Sequence, residues 1–152
     1  IFYMAVYIIM NMAAFLIVDE IEEQSGKLLI DDYKGLGKVN APLMAAFVIV
    51  LVSLTGLPPT VGFTAKFLVF SSAIEAFRST NSIIILIMII IAAVSTVVSL
   101  FYYFKIPLNA FLRDSGNQIV KLENSPKAYI GLFLAILLLV LIVFPSVIAD
   151  LV

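Results

Sequence analysis

The chain contains neither cysteine nor histidine. Disulfides, iron–sulfur ligation by thiolates, zinc sites of the usual Cys/His kind and axial haem ligation by either side chain are therefore excluded. The most common general base of nucleophilic triads is missing too. Charge is scarce: Asp, Glu, Lys and Arg make up 12% of the residues, against about a quarter in soluble domains. There is no Gly-rich phosphate loop and no basic patch, so nucleic acid is not an expected partner. Any redox chemistry this protein takes part in must be performed by another subunit.

What the chain has in abundance is apolar surface. Hydrophobic residues make up 63% of its 152 positions, and the mean hydropathy is +1.18. A soluble globule of this size cannot hide that much, so the expected solvent is lipid. The expectation is an all-α polytopic membrane protein, forming a single membrane domain over 1–152. Ile1 already sits in an apolar run, without Met or a charged leader. The chain therefore reads as the C-terminal fragment of a longer one.

Four apolar stretches are expected to cross: 1–18, 41–77, 83–104 and 128–149. As a helix the first is about 27 Å long, against a hydrocarbon core of roughly 30 Å. The second would be about 55 Å long, too much for one straight crossing and too little for a comfortable hairpin. Pro58 and Pro59 remove two backbone donors at its middle, and Gly56 is a natural helix stop. It reads either as a short hairpin or as one crossing built from two offset half-helices, discontinuous at 56–60.

Loop charge separates these two readings. With one discontinuous crossing, segments 19–40 and 105–127 share a side and hold Lys27, Lys34, Lys38, Lys105, Arg113, Lys121 and Lys127. The opposite side then holds only Arg78. A hairpin would split these cations evenly. Lys and Arg concentrate on the cytoplasmic side, so the broken single crossing is preferred, with 19–40 and 105–127 cytoplasmic. The run Phe101, Tyr102, Tyr103, Phe104 before Lys105, and Tyr129 after Lys127, sit where an interfacial aromatic belt belongs.

Lys66 carries the chemistry of this reading. It lies one turn after Gly62 in the second half-helix, and about 15 Å or more from the charged end at Arg78. A lysine stem spans about 6 Å, so snorkelling to that interface is difficult. An ammonium at such depth requires a water-filled cavity, a partner, or a shifted protonation equilibrium, and intramembrane ionisable groups mark ion and proton paths. The structural alternative is a tilted half-helix that leaves Lys66 as an anchor at a wet cleft. The Gly56–Pro58–Pro59 break itself either frees carbonyls and a helix N-terminus at mid-membrane or only shapes packing.

Other polar groups are candidates for a hydrogen-bonded proton path. Tyr3, Tyr7 and Asn11 share one helix face at i, i+4, i+8, and Ser95 and Ser99 stack likewise with Thr96 beside them. Ser53, Thr55, Thr60 and Thr64 flank the break. Hydroxyls are also ordinary glue between membrane helices. Glu75, nine residues beyond Lys66, is too far for a direct pair and is expected at the interface. The run Asp19, Glu20, Glu22 and Glu23 is expected to be a solvated loop face.

The run from Ser53 to Phe70, SLTGLPPTVGFTAKFLVF, resembles the broken-helix signature of the proton-translocating antiporter-like membrane subunits. The stretch Phe2 to Phe15 resembles the span before it. Within that group the chain looks most like the N-type subunits of bacterial NADH–quinone oxidoreductase, respiratory complex I. Lys66-Phe67 followed by Phe70 favours that type, since M-type relatives carry Glu at the lysine position. Ala65 stands where the family often has Gly.

The resemblance implies spans eleven to fourteen of a fourteen-helix subunit, with the broken helix as span twelve. The family's upstream Glu–Lys pair and central lysine would precede Ile1. It further implies proton translocation by a non-redox subunit, with Lys66 transferring the proton. Electron transfer from NADH to quinone, with FMN and iron–sulfur clusters, would lie in other subunits, and this chain would bind no cofactor or metal. Its implied partners are the neighbouring antiporter-like membrane subunits and the lipid bilayer, in the cell inner (plasma) membrane. An Mrp-type sodium/proton antiporter subunit is the alternative, because it also uses a lysine in a broken helix. A structural bundle with Lys66 as an anchor is a third reading.

Overall fold

A backbone in lipid finds no water for its N–H and C=O groups, so apolar stretches must close their hydrogen bonds along helices. The structure, a computed structural model, describes residues 2–26, 29–113 and 125–143. Among these residues the regular structure is all helical: α1 Phe2–Ser25, α2 Leu36–Val39, α3 Ala41–Thr55, α4 Val61–Thr80, α5 Ile83–Pro107 and α6 Pro126–Val143. A 3-10 turn, Ile30–Tyr33, precedes α2, and a π-helical turn, Leu108–Leu112, continues α5.

Local chemistry sets the boundaries. Asn40 caps α3 by accepting from the Leu43 N–H at 3.1 Å, and Pro42 follows where a missing donor costs nothing. Gly56, at φ 77°, ends α3. Thr60 accepts from the Phe63 N–H at 3.3 Å and starts α4. Asn81, in the left-handed region at φ 50°, ends it. Ser125 accepts from the N–H of Lys127 at 3.1 Å and of Ala128 at 3.4 Å to start α6.

The core lies between α1, α3 and α6. Val6, Met10, Ala13, Ile17 and Ile21 form the buried stripe of α1. They meet Phe47, Val50 and Leu54 of α3 and Ala135 and Leu138 of α6. α4 packs against α1 and α5, and no residue of α5 is buried. Among the described residues two helical stretches are long and apolar enough to cross a membrane by length and composition, Phe2–Ser25 and Ile83–Leu112. α3, with 15 residues, is about 22 Å long and too short to cross alone.

Described parts of segments 19–40 and 105–127 meet at one end of the bundle. Asn109 Nδ2 donates to the Ile30 carbonyl at 2.8 Å, and the Gly35 N–H donates to the Asn109 carbonyl at 3.2 Å. Lys105 pairs with Asp31 at 3.6 Å. Lys127 donates to Asp19 at 2.7 Å and Glu23 at 2.6 Å. Lys27, Lys121 and the 144–149 end of the last apolar stretch lie outside the described residues.

Two expectations need correction. The acidic run is helix and not loop, since α1 continues through it to Ser25; Asp19, Glu22 and Glu23 are exposed as expected, but Glu20 is buried at 1% exposure. The hydroxyl of Ser125 and the amide of Gln24 donate to the Glu20 carboxylate, so the buried carboxyl is satisfied by one donor a turn along its own helix and one that the local sequence does not reveal. The third apolar stretch, 83–104, is also outlasted by its helix α5, which runs past 104 to Pro107. Pro107 has no N–H to donate, and the helix widens into the π turn directly after it.

Candidate functional site

The last turn of any helix leaves carbonyls without partners. At the end of α3 the Gly56 N–H bonds the carbonyls of Val52 at 3.2 Å and Ser53 at 3.0 Å. Those of Leu54 and Thr55 are taken by Lys66, whose Nζ donates to each at 3.0 Å. The lysine reaches back from α4 across the break, setting a positive group against the negative end of the α3 dipole. Among the described residues Lys66 has no carboxylate partner.

Two glycines make this approach possible. An added Cβ at Gly62 would lie 1.8 Å from the Ser53 carbonyl oxygen, so the half-helices touch backbone to backbone there. One at Gly56 would lie 2.8 Å from Cδ of Lys66. Pro58 and Pro59 are exposed in the connecting turn, which the Thr60 N–H and hydroxyl close onto the Leu57 carbonyl at 3.0 and 2.7 Å.

Lys66 borders a cavity of about 600 Å³ between α1, α4 and α5. Tyr3, Tyr7, Ser95, Thr96, Ser99 and Tyr103 supply its polar lining, and Val69, Phe70, Ile89 and Ala92 much of the rest. The rings of Tyr3 and Tyr7 stack with centroids 5.9 Å apart. The Ser99 hydroxyl donates to the Ser95 carbonyl at 2.8 Å and that of Thr96 to the Ala92 carbonyl at 2.9 Å. Their acceptor lone pairs remain for water or another donor.

The expected path residues thus divide. Lys66, Tyr7, Ser95 and Ser99 line one cavity. Asn11 turns its amide to the Tyr7 carbonyl at 2.7 Å and borders a second groove, which it shares with Tyr7, Phe15 and Asp19, rather than the cavity of Lys66. Ser53 is fully buried, with no hydrogen-bond partner for its hydroxyl among the described residues, and Thr60 serves as a helix cap. Glu75 is exposed. The main-chain acceptors of Leu54 and Thr55 were not singled out from sequence. Their signal was present, because a helix stopped by Gly56 before two prolines leaves its last carbonyls unpaired. Among the described residues no group of three or more His, Cys, Asp or Glu side chains can hold a metal ion.

A family model described as "NADH:quinone oxidoreductase/Mrp antiporter, TM" matches residues 1–99. The chain belongs to this family. The matched part includes the break, Lys66, Ser95 and Ser99, and the family's description and the apolar helices together make it a membrane protein. Subunit N 2 of NADH-quinone oxidoreductase from Chloroherpeton thalassium is 44% identical over 75% of this chain and 21% of its own length. Subunit N from Chlorobium chlorochromatii is 37% identical over 94% of this chain and 27% of its own length. A chain of respiratory complex I from Thermus thermophilus, solved with bound aureothin, superposes with a TM-score of 0.72 at 27% identity. It is matched over 95% of this chain and 32% of its own. This member of the family therefore spans between a fifth and a third of the relatives it matches.

Proposed function

We propose that this chain is the C-terminal membrane part of an N-type subunit of NADH–quinone oxidoreductase and carries part of its proton path. The observation behind this reading is the Nζ of Lys66, docked on two main-chain carbonyls at a helix break and bordering a polar-lined cavity. Lysine can hold and release a proton in such a setting, where arginine cannot. Tyr7, Ser95 and Ser99 would exchange hydrogen bonds with water between Lys66 and the ends of the bundle. NADH, FMN, iron–sulfur clusters and quinone belong, on this reading, to other subunits. The neighbours in the membrane would be further antiporter-like subunits.

The topology proposed with it has four crossings in one membrane domain: 1–18, 41–77 broken at 56–60, 83–104 and 128–149. Segments 19–40 and 105–127 then face the cytoplasm from the inner membrane. The contacts of Asn109 with Ile30 and of Lys127 with Asp19 and Glu23 support a shared side. The cation count supports the cytoplasmic assignment. An Mrp-type antiporter subunit is the less supported reading, since the curated relatives described above are all N subunits.

The test is Lys66→Ala in the intact complex, reconstituted in vesicles. Proton pumping, and the NADH–quinone turnover coupled to it, should fall at least tenfold with the subunit still assembled. Pumping at the wild-type rate would remove Lys66 from the path.

A further inference from the structure

Gly56 has two roles, and only one is that of a helix stop. Its φ of 77° ends α3, a conformation glycine adopts freely and asparagine tolerates. The second role is spatial. A Cβ added at Gly56 would lie 2.8 Å from Cδ of Lys66 and 3.4 Å from both Cε and Nζ. The lysine stem therefore runs through the volume that a side chain at 56 would fill. That route brings Nζ to the carbonyls of Leu54 and Thr55, at 3.0 Å each.

We propose that Gly56 is a positioning residue for Lys66: the missing Cβ keeps open the slot in which the lysine stem lies, so that Nζ docks on the end of α3. Any side chain at 56, even one that suits the left-handed backbone, would lift the stem and separate Nζ from both carbonyls. A hydrogen bond of 3.0 Å does not survive a displacement of about 1 Å. The ammonium would then lose the carbonyls that hold it at the mouth of the cavity. The inference rests on the proposed role of Lys66 only where pumping is the readout; the packing relationship stands apart from it.

The test uses the full complex with Gly56→Ala and Gly56→Asn, each with Lys66 present and with Lys66→Ala. Two quantities are read: protons pumped per NADH oxidised, and the temperature at which the subunit leaves the complex. With Lys66 present, both variants should lower pumping on the order of tenfold and lower the release temperature by about 3 °C or more. With Lys66→Ala, whose side chain ends at Cβ, the thermal cost of Gly56→Asn should vanish and that of Gly56→Ala should shrink to backbone strain. Failure of Gly56→Asn to assemble with Lys66, relieved by Lys66→Ala, supports the proposal in the same way. A Gly56→Asn complex equal to wild type, or an equal cost in both backgrounds, overturns it and leaves Gly56 a helix stop. Normal pumping by Lys66→Ala alone would sink the proton role of the lysine while the thermal comparison still decides the role of Gly56.

Discussion

Gly62 lies so close to Ser53 that an added Cβ would fall 1.8 Å from the Ser53 carbonyl oxygen and 2.8 Å from its carbon. The neighbour is backbone, so no side-chain rotation relieves the overlap, and the two half-helices would have to part. Gly62→Ala should therefore cost at least the 1–3 kcal/mol, roughly, of ordinary overpacking. Loss of the subunit from the solubilised complex on a native gel is the expected outcome. Wild-type retention would show that the half-helices slide apart cheaply.

The lysine series separates proton exchange from fixed charge. Lys66→Glu should keep more pumping than Lys66→Ala, because a carboxyl also loads and releases a proton. Lys66→Arg should pump poorly, since guanidinium stays charged throughout the working range. An arginine variant that pumps as well as lysine would make position 66 an electrostatic anchor only.

The break can be tested through its prolines. Changing both Pro58 and Pro59 to Ala restores two backbone donors and lowers the cost of a continuous helix by about 3 kcal/mol per site. The Leu54 and Thr55 carbonyls would then bond within the helix and lose Lys66. Pumping should fall while assembly holds. Unchanged pumping would show that the docking survives without the prolines.

Topology is accessible because the chain has no cysteine. Cysteines placed at Asp32 and Arg113 should react with an impermeant reagent from the same face, and one at Ser79 from the other. Asp32 and Arg113 labelling from opposite faces would restore the hairpin reading of 41–77.

The clamp between α1 and α6 predicts alkaline sensitivity. Its hydrogen bonds to Asp19 and then Glu23 hold the Lys127 ammonium well above the usual lysine range. Burial, and then the charge of Glu22, raise the Tyr33 phenol. Both folded values exceed the unfolded ones, so both contributions are complete below about pH 10 and fade as pH rises toward the folded values. Lys127→Gln and Tyr33→Phe should each flatten the fall in melting temperature that sets in above about pH 10. Salt should weaken the Lys127 clamp, since it is partly exposed. Slopes identical to wild type would exclude these groups.

What the sequence disclosed follows the range of the interactions concerned. The break was legible because Gly56, Pro58 and Pro59 act on their own backbone. Lys66 was legible because a charge at bilayer depth is costly wherever it stands. Spacing placed Tyr7 with Asn11 on one helix face, and both border the groove at Phe15 and Asp19, but only Tyr7 also reaches the cavity of Lys66. The burial of Glu20 was hidden because one of its two partners, Ser125, is 105 residues away, although the other, Gln24, lies one turn along the same helix. The continuation of α1 to Ser25 is available in principle from its helix-forming Glu and Gln residues, but the abrupt change from apolar to polar residues at Asp19 masks it.

The anchoring of α5 gives it leverage. Asn109 and Lys105 fasten its far end to residues 30–35, whereas no residue along α5 itself is buried. Ser95 stands about 21 Å up the rod from Asn109. A swing of about 5° about that pivot carries the Ser95 hydroxyl through about 2 Å, enough to make or break a hydrogen bond. A partner pressing on the outer face of α5 would thus set the width of the cavity beside Lys66 without touching the lysine.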